Sequence, residues 1–329
     1  MKAVIPVAGH GRRLRPHTLV RPKVLLPLAG KPILGYIIEK LLADGIDELV
    51  FIVGHLREQI QDYVRQTFQV KAHFIHQEEK LGLAHAVFMA REVIQPEESF
   101  VIVLGDTIYD VDLRSIFESE FTALGVKEVD DPRRFGVAVL DEFGFVKKVV
   151  EKPQRLISKL ALVGIYFIRK AERLFLALQQ VMDRHIMLNE EYQLADGLQL
   201  MIDQGEKIIV FNVEGWYDCG EKKTLLETHR TILEKNHPRA EGEFAHSSII
   251  EPVFIHPDAT VEYSVIGPYV SIDKHCHIRN AVIRDTIIDH DTEIQNIVLS
   301  HSIIGHHVRL CGTAQNINVS DHSEIENIK

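Results

Sequence analysis

Short apolar runs at residues 3–7, 48–53, 71–76 and 100–104 alternate with stretches at 33–44, 56–67 and 83–94 in which apolar residues recur three or four positions apart. The runs are strand-sized and the stretches between them have a helical period. Residues 1–128 therefore predict a Rossmann-like α/β fold, a mixed but mostly parallel sheet with helices on its faces. From about 135 to 167 the pattern becomes strand-like, with segments at 136–140, 146–150 and 160–168. Helices near 170–180 and 190–204, a strand at 208–213 and a helix near 221–235 complete a first domain, 1–236. The polar stretch 236–243, with Pro238 and Gly242, reads as a linker opening a second domain, 237–329.

Past the linker the helical period is lost. Aliphatic residues recur six apart at Ile255 and Val261, at Ile266, Ile272 and Ile278, at Ile288 and Ile294, and at Ile304 and Leu310, with polar turns of Asp, His and Asn between them. A hexapeptide period predicts a parallel β-helix, whose coils bury their aliphatic residues only by stacking. The spacing slips to ten between some groups, so about four irregular coils are expected; a β-sandwich is the alternative.

Composition narrows the class. At 329 residues and 46% apolar content the chain can build a large core. It contains neither 18 consecutive apolar residues nor a signal-peptide pattern, which argues for a soluble cytoplasmic protein with no membrane association. Cys219, Cys276 and Cys311 have no metal-like spacing and are too few for a disulfide framework. A net charge of −10 argues against nonspecific nucleic-acid binding. Against that acidic background, residues 1–38 hold seven cations (Lys2, Arg12, Arg13, Arg15, Arg21, Lys23, Lys31) before the first acid, Glu39. A local cationic loop implies an anion.

That loop opens with Gly9-His10-Gly11 directly after the first strand. Glycines let backbone N–H groups approach phosphate oxygens and Arg or Lys supplies charge, although two glycines alone can be only a turn. Neither the P-loop pattern nor the dinucleotide fingerprint is present. The full string, Ala8-Gly9-x-Gly11-x-Arg13-Leu14-x-Pro16-x-Thr18, Pro22-Lys23-x-Leu25-x-Pro27 and Lys31-Pro32-Ile33, resembles the signature of the sugar-1-phosphate nucleotidyltransferases, the nucleotide-sugar pyrophosphorylases. The hexapeptide region is similar to the left-handed β-helix of long-form members such as the glucose-1-phosphate thymidylyltransferases.

The resemblance implies a reaction in which a sugar 1-phosphate oxygen attacks the α-phosphorus of a nucleoside triphosphate, releasing pyrophosphate and forming an NDP-sugar. It assigns the triphosphate to Ala8, Gly9, Gly11, Arg13 and Lys23, and Mg²⁺ to Asp106 in Leu104-Gly105-Asp106 and Asp218 in Trp216-Tyr217-Asp218-Cys219-Gly220. It places the sugar phosphate at Gly136, Glu151, Lys152 and Glu191. Gln77 and Gly82, in Gln77-Glu78-Glu79-Lys80-Leu81-Gly82, match the base-binding segment of thymidylyl- and uridylyltransferases, favouring dTTP or UTP with glucose 1-phosphate over GTP with mannose 1-phosphate. A glutamine amide can match a pyrimidine edge, although Gln77 can also be read as an exposed strand-end residue. Either aspartate can likewise be read as a turn cap.

Several positions depart from the family pattern. Arg12 replaces a threonine, Val163 a threonine, Asn189-Glu190 an Arg-Gly pair, and Ala195 a threonine. Losing that arginine leaves the sugar phosphate to Lys152 or to a cation from elsewhere. A noncatalytic regulatory or assembly subunit of the same fold is the alternative, against which Arg13, Lys23, Asp106, Lys152 and Asp218 are all retained. Nine of 18 histidines lie from His246 onward, including His275, His277, His301, His306 and His307. They read as solvated turn residues, with a metal site or an acyltransferase histidine as alternatives. The β-helix is expected to pack against another subunit in a homo-oligomer.

Overall fold

A computed structural model describes residues 1–236, 240 and 244–312. Most of the predicted linker and the last 17 residues of the second domain lie outside the described residues. Contacts divide the chain into two compact units, one of residues 1–27 and 31–228, the other of residues 28–30 and 229–329.

In the first unit, β1 (Lys2–Pro6), β2 (Glu48–Val53), β3 (Lys71–His76) and β4 (Phe100–Val103) form the parallel part of a nine-stranded sheet, in the order β4-β1-β2-β3. Their crossovers are α1 (Ile33–Ala43), α2 (Arg57–Thr67) and α3 (Leu83–Met89). In α1, Ile33, Leu34, Ile37, Ile38 and Leu41 are buried along one stripe, as the period requires. Gly45, at φ 86, stops it: its N–H bonds Leu42 O and the Ile46 N–H bonds Leu41 O. The predicted helix at 83–94 is shorter, passing into a 3₁₀ turn at Ala90–Glu92.

The chain continues through β5 (Thr107–Asp110), β6 (Thr122–Glu128), β7 (Gly136–Leu140), β8 (Val146–Glu151) and β9 (Leu160–Ile168). Then come α4 (Ala171–Asp183), α5 (Leu194–Asp203), β10 (Ile208–Asn212), β11 (Gly215–Asp218) and α6 (Lys222–Asn236). β9 joins the halves of the sheet, antiparallel to β4, β6 and β7; β7 runs antiparallel to β8, and β10 parallel to β6. Eight of its nine residues are buried, the near-continuous apolar run of a strand covered on both faces. The β6–β9 register shifts between Leu162 and Tyr166 around Gly164, at φ 83, whose carbonyl accepts the Leu104 N–H at 2.9 Å. This bulge sits at the exit of β4, one turn before Asp106. β6 and the separate β5–β11 ribbon were not foreseen from sequence; the ribbon pairs Thr107 with Asp218.

The second unit is a parallel β-helix. Strands at Ser248–Ile249, Val253–Ile255, Thr260–Glu262, Val265–Ile266 and Val270–Ile272 stack onto longer ones at His277–Ile288, Glu293–Ile304 and Arg309–Cys311. Each residue pairs with one 17 positions on in the first coils (Val253↔Val270, Thr260↔His277) and 16 in the later ones (Val270↔Thr286, Ile278↔Ile294). The slips of ten in the aliphatic spacing are thus two five-residue sides, with Ile283 and Leu299 between the expected positions. The corners explain the polar turns. Tyr263, Tyr269, His275, Asn280, Asp285, Asp291, Asn296, His301 and His307 all have positive φ at five- or six-residue spacing, and Asn, Asp and His are the non-glycine residues that best tolerate that region. Buried aliphatic residues including Ile255, Val261, Ile266, Ile272, Ile278, Ile283, Ile288 and Ile294 fill the interior.

Candidate active site

Three strand exits meet around Ala8. The Val7 N–H donates to Ile52 O and the Gln77 N–H to Val53 O, both at 2.8 Å, which fixes the ends of β1, β2 and β3 side by side. A Cβ on Gly54 would lie 2.9 Å from Ala8 O, and one on Gly105 would lie 2.5 Å from Val7 Cγ1. The first glycine loop, Gln77 and Asp106 therefore occupy one sheet edge, where ligands bind in α/β folds. Within the loop, Gly11 has φ 59 and its missing Cβ would meet Lys23 Cβ and Thr18 Cγ2 at 2.9 Å; the Thr18 hydroxyl donates to Gly11 O at 2.8 Å. Nothing lies within 4 Å of the Cβ position of Gly9. One glycine closes the loop and the other leaves a face open. Arg12 is exposed, and nothing in the fold explains its presence.

The loop carries Lys23 into the sheet edge. Its side chain is 10% exposed and its ammonium donates to Asp106 Oδ2. Burial pushes the Asp106 carboxyl up, but Lys23 and then Arg13 outweigh it and hold the group below the usual carboxylate range. Asp218, brought alongside by the β5–β11 ribbon, is raised instead, first by burial and then by the Asp106 charge; its Oδ1 accepts the Gly220 N–H at 2.8 Å. The Cys219 N–H bonds Asp106 O at 3.0 Å, tying the two segments together. Two adjacent carboxylates, one already neutralised by an ammonium, form an oxygen donor set that fits a hard divalent cation.

On the other side, Gly136 pairs with Glu151 across β7 and β8. The Lys152 N–H donates to Phe135 O at 3.1 Å, so by antiparallel alternation the Gly136 N–H points away from β8. A Cβ on Gly136 would stand 3.0 Å from Glu151 Oε2, so a larger residue there would press on the Glu151 side chain. Lys152 sits at φ 43, a conformation costly for lysine and concentrated at functional positions. Its Nζ lies 3.2 Å from Glu151 Oε1.

Gln77 is 6% exposed, which overturns its reading as an exposed strand-end residue. Its Nε2 donates to Gly82 O at 3.2 Å and lies 3.0 Å from His85 Nδ1, in a ring whose pKa burial lowers. Gly82, at φ 96, abuts the 188–193 segment, where the Tyr192 N–H bonds Leu81 O at 2.8 Å and the Ala84 N–H bonds Tyr192 O at 3.0 Å. Asn189 and Glu190 both have positive φ between the bridged Leu188 and Glu191. They form the tight turn that stands where the family pattern has Arg-Gly, and Glu191 is exposed beside it.

Two side chains, Glu221 and Arg134, are not singled out by the sequence motifs. The Arg13 Nη1 donates to Glu221 Oε1 at 2.6 Å and Arg134 Nη2 donates to the same oxygen, so two guanidinium groups from distant loops converge on one carboxylate. Asp196 is raised by burial and by the Glu151 charge, which places it on the Glu151 side. Arg134 lies two residues before Gly136, and its charge close to that glycine was the available signal.

Among known proteins, the Nucleotidyl transferase family matches residues 2–235, and a second family, described as GlmU-like, C-terminal hexapeptide, matches residues 229–297. Over 99% of both chains, the protein is 30% identical to a glucose-1-phosphate thymidylyltransferase of Streptomyces griseus. It is 31% identical to the bifunctional protein GlmU of Methanocaldococcus jannaschii, over all of this chain and 84% of that one. The crystal structure of a UDP-glucose pyrophosphorylase complexed with UDP-glucose shares the fold, with a TM-score of 0.63 and 24% identity over 71% of this chain and 98% of that one. No helix among the described residues is long and apolar enough to cross a membrane. With 234 of its 329 residues matched and two aspartates, a buried lysine and a glycine loop gathered at one sheet edge, the chain belongs to the nucleotidyl transferase family, extended by a hexapeptide β-helix.

Proposed function

We propose that this protein transfers a nucleotidyl group from dTTP or UTP to a sugar 1-phosphate, with glucose 1-phosphate the favoured acceptor, forming an NDP-sugar and releasing pyrophosphate. The observation that carries the reading is the convergence of Lys23, Asp106 and Asp218 at the exits of β1 and β4. The acceptor phosphate attacks the α-phosphorus, a bond to its oxygen forms, and the bond to the leaving pyrophosphate breaks. Two anions must meet, so positioning and positive charge dominate the catalysis.

In this reading Gly9 leaves room for the triphosphate against the loop backbone, and Ala8, Gly11 and Arg13 line its path. Lys23 reaches the phosphates from below while its buried stem stays fixed. Asp106 and Asp218 would hold Mg²⁺, whose charge, when bound, offsets that building on the phosphoryl oxygens. Gln77 and Gly82 receive the base through the glutamine oxygen and the loop backbone, the Gln77 nitrogen being engaged with Gly82 O. Gly136, Glu151, Lys152 and Glu191 frame the sugar phosphate. Retention of Arg13, Lys23, Asp106, Lys152 and Asp218 favours an enzyme over a noncatalytic subunit, and the assembly of the β-helix with a second copy belongs to the same proposal.

The test is pyrophosphate release by purified protein with Mg²⁺, four triphosphates and several sugar 1-phosphates. Turnover with dTTP or UTP and glucose 1-phosphate is expected. Release with no pair would refute the enzyme, and release with GTP and mannose 1-phosphate alone would refute the base assignment. The GlmU-like match supports a second reading, acyl transfer by the β-helix, checked by following acetyl-CoA consumption with amino-sugar phosphates.

A further inference from the structure

One corner of the β-helix gathers metal-ligating groups from two successive coils. Asp289, 3% exposed, opens the corner Asp289-His290-Asp291 after the strand ending at Ile288; one coil on, His306 follows the strand ending at Ile304. The Asp289 and His290 backbones are paired with that next coil, the Asp289 N–H donating to Ile304 O at 3.0 Å and the His307 N–H to His290 O at 3.2 Å. The 16-residue coil length therefore stacks His290 on His306, with ring centroids 5.3 Å apart and planes 28° from parallel.

We propose that Asp289, His290 and His306 form a site for a divalent transition metal of the zinc class, separate from the nucleotidyl-transfer site. Asp289 Oδ1 lies 3.8 Å from His290 Nε2, and Asp289 Oδ2 lies 3.8 Å from His306 Nδ1. One ligand atom from each residue falls within 4.8 Å of the other two. The edge of a tetrahedron with metal–ligand bonds of 2.0–2.1 Å is about 3.3 Å, so modest contraction closes the site around an ion. Imidazole with a single carboxylate selects zinc, cobalt or nickel over magnesium.

The surroundings hold the ligands in the required state. His290 Nδ1 lies 2.6 Å from Asp291 Oδ2, and a proton held between them would leave Nε2, 3.8 Å from Asp289 Oδ1, as the ligating nitrogen. The same Asp291 is anchored through its other oxygen, 3.2 Å from His275 Nδ1. A histidine ligand backed by a carboxylate is the usual outer shell of a protein metal site. Asp289 Oδ1 also accepts the His290 N–H at 2.9 Å, which keeps its carboxylate at the mouth of the corner. Three protein ligands leave a coordination position for water or another group.

The test is titration of the EDTA-stripped full-length protein with Co²⁺, followed by visible absorption, and with Zn²⁺ by calorimetry, in wild type and in an Asp106→Asn/Asp218→Asn background. One equivalent is expected to bind in both, with the intense visible bands of four- or five-coordinate cobalt and no competition from millimolar Mg²⁺. Asp289→Asn, which keeps the bond to the His290 N–H, and His306→Ala should each weaken binding at least 30-fold. Asp291→Asn should weaken it about 10-fold while the bands persist. Should His306→Ala fail to fold by circular dichroism, His290→Gln takes its place. Absence of the cobalt bands, unchanged affinity in the folded corner variants, or binding that disappears only with the two aspartate substitutions would overturn the site.

Discussion

Substituting Asp106 and Asp218 separately should move stability in opposite directions while both substitutions remove activity. Asp106 is paired with the buried Lys23 ammonium, whereas Asp218 is raised by burial and by its neighbour's charge. Asp106→Asn strands an ammonium whose side chain is only 10% exposed. Breaking a fully buried pair costs about 3–5 kcal/mol, and since Asp106 is itself 34% exposed we expect about 2 kcal/mol here. Asp218→Asn removes a like charge while its amide oxygen can still accept the Gly220 N–H. At about 4 Å two like charges repel by about 1–4 kcal/mol, and Lys23 and Arg13 offset much of the Asp106–Asp218 repulsion, leaving an expected gain of about 1 kcal/mol. For a domain of this size each kcal/mol moves Tm by about 2–4 °C.

Thermal unfolding in EDTA should therefore rank Asp218→Asn above wild type and wild type above Asp106→Asn. Both variants should lose at least about 100-fold in pyrophosphate release. If the two carboxylates hold Mg²⁺, adding it should raise the Tm of wild type and leave that of Asp218→Asn nearly unchanged. An Asp218→Asn protein that melts well below wild type in EDTA would refute the repulsion argument, and one that turns over normally would remove Asp218 from the site.

Three further outcomes follow from local geometry. Gly82→Ala places a Cβ 2.5 Å from Tyr192 O at φ 96; it should cost about 2 kcal/mol in urea unfolding and raise the KM for the triphosphate more than that for the sugar phosphate. Glu221→Gln frees Arg13 and Arg134 from a shared counter-charge and should lower the triphosphate KM about 3-fold, as expected for exposed ion pairs; a higher KM would make Glu221 a binding group instead. His229, fully buried with Nε2 2.6 Å from Ser271 Oγ, has its pKa pushed down to about 3 by burial. A folded pKa below the unfolded 6.5 means stability is complete above pH 6.5 and is lost as pH falls toward 3, by on the order of 4 kcal/mol, in the second unit. His229→Gln should flatten that acid limb in circular dichroism melts, and an unchanged pH profile would refute it.

What the sequence disclosed depended on whether a signal was local. The β-helix was legible because every side of every coil needs an inward aliphatic residue, and even the irregular spacing became lawful once Ile283 and Leu299 were seen to split ten into five and five. The glycine loop and the two aspartates were legible because a motif keeps residue types at fixed spacings. β6 was missed because Gly125 and the lysine and glutamate at its end obscure a run that is buried only through its partners β9 and β10. The Arg13–Glu221–Arg134 convergence was illegible for a different reason: its members are separated by 87 and 208 residues, and none stands out until the sheet edge folds. On the proposed function, that convergence bears on the question raised by Asn189-Glu190: a chain lacking the family arginine there needs another cation near the acceptor phosphate, and Arg134, two residues before Gly136, is already drawn to an anion shared with Arg13. In that reaction Glu221 would serve as a removable counter-ion, holding both guanidinium groups where a phosphate can replace it.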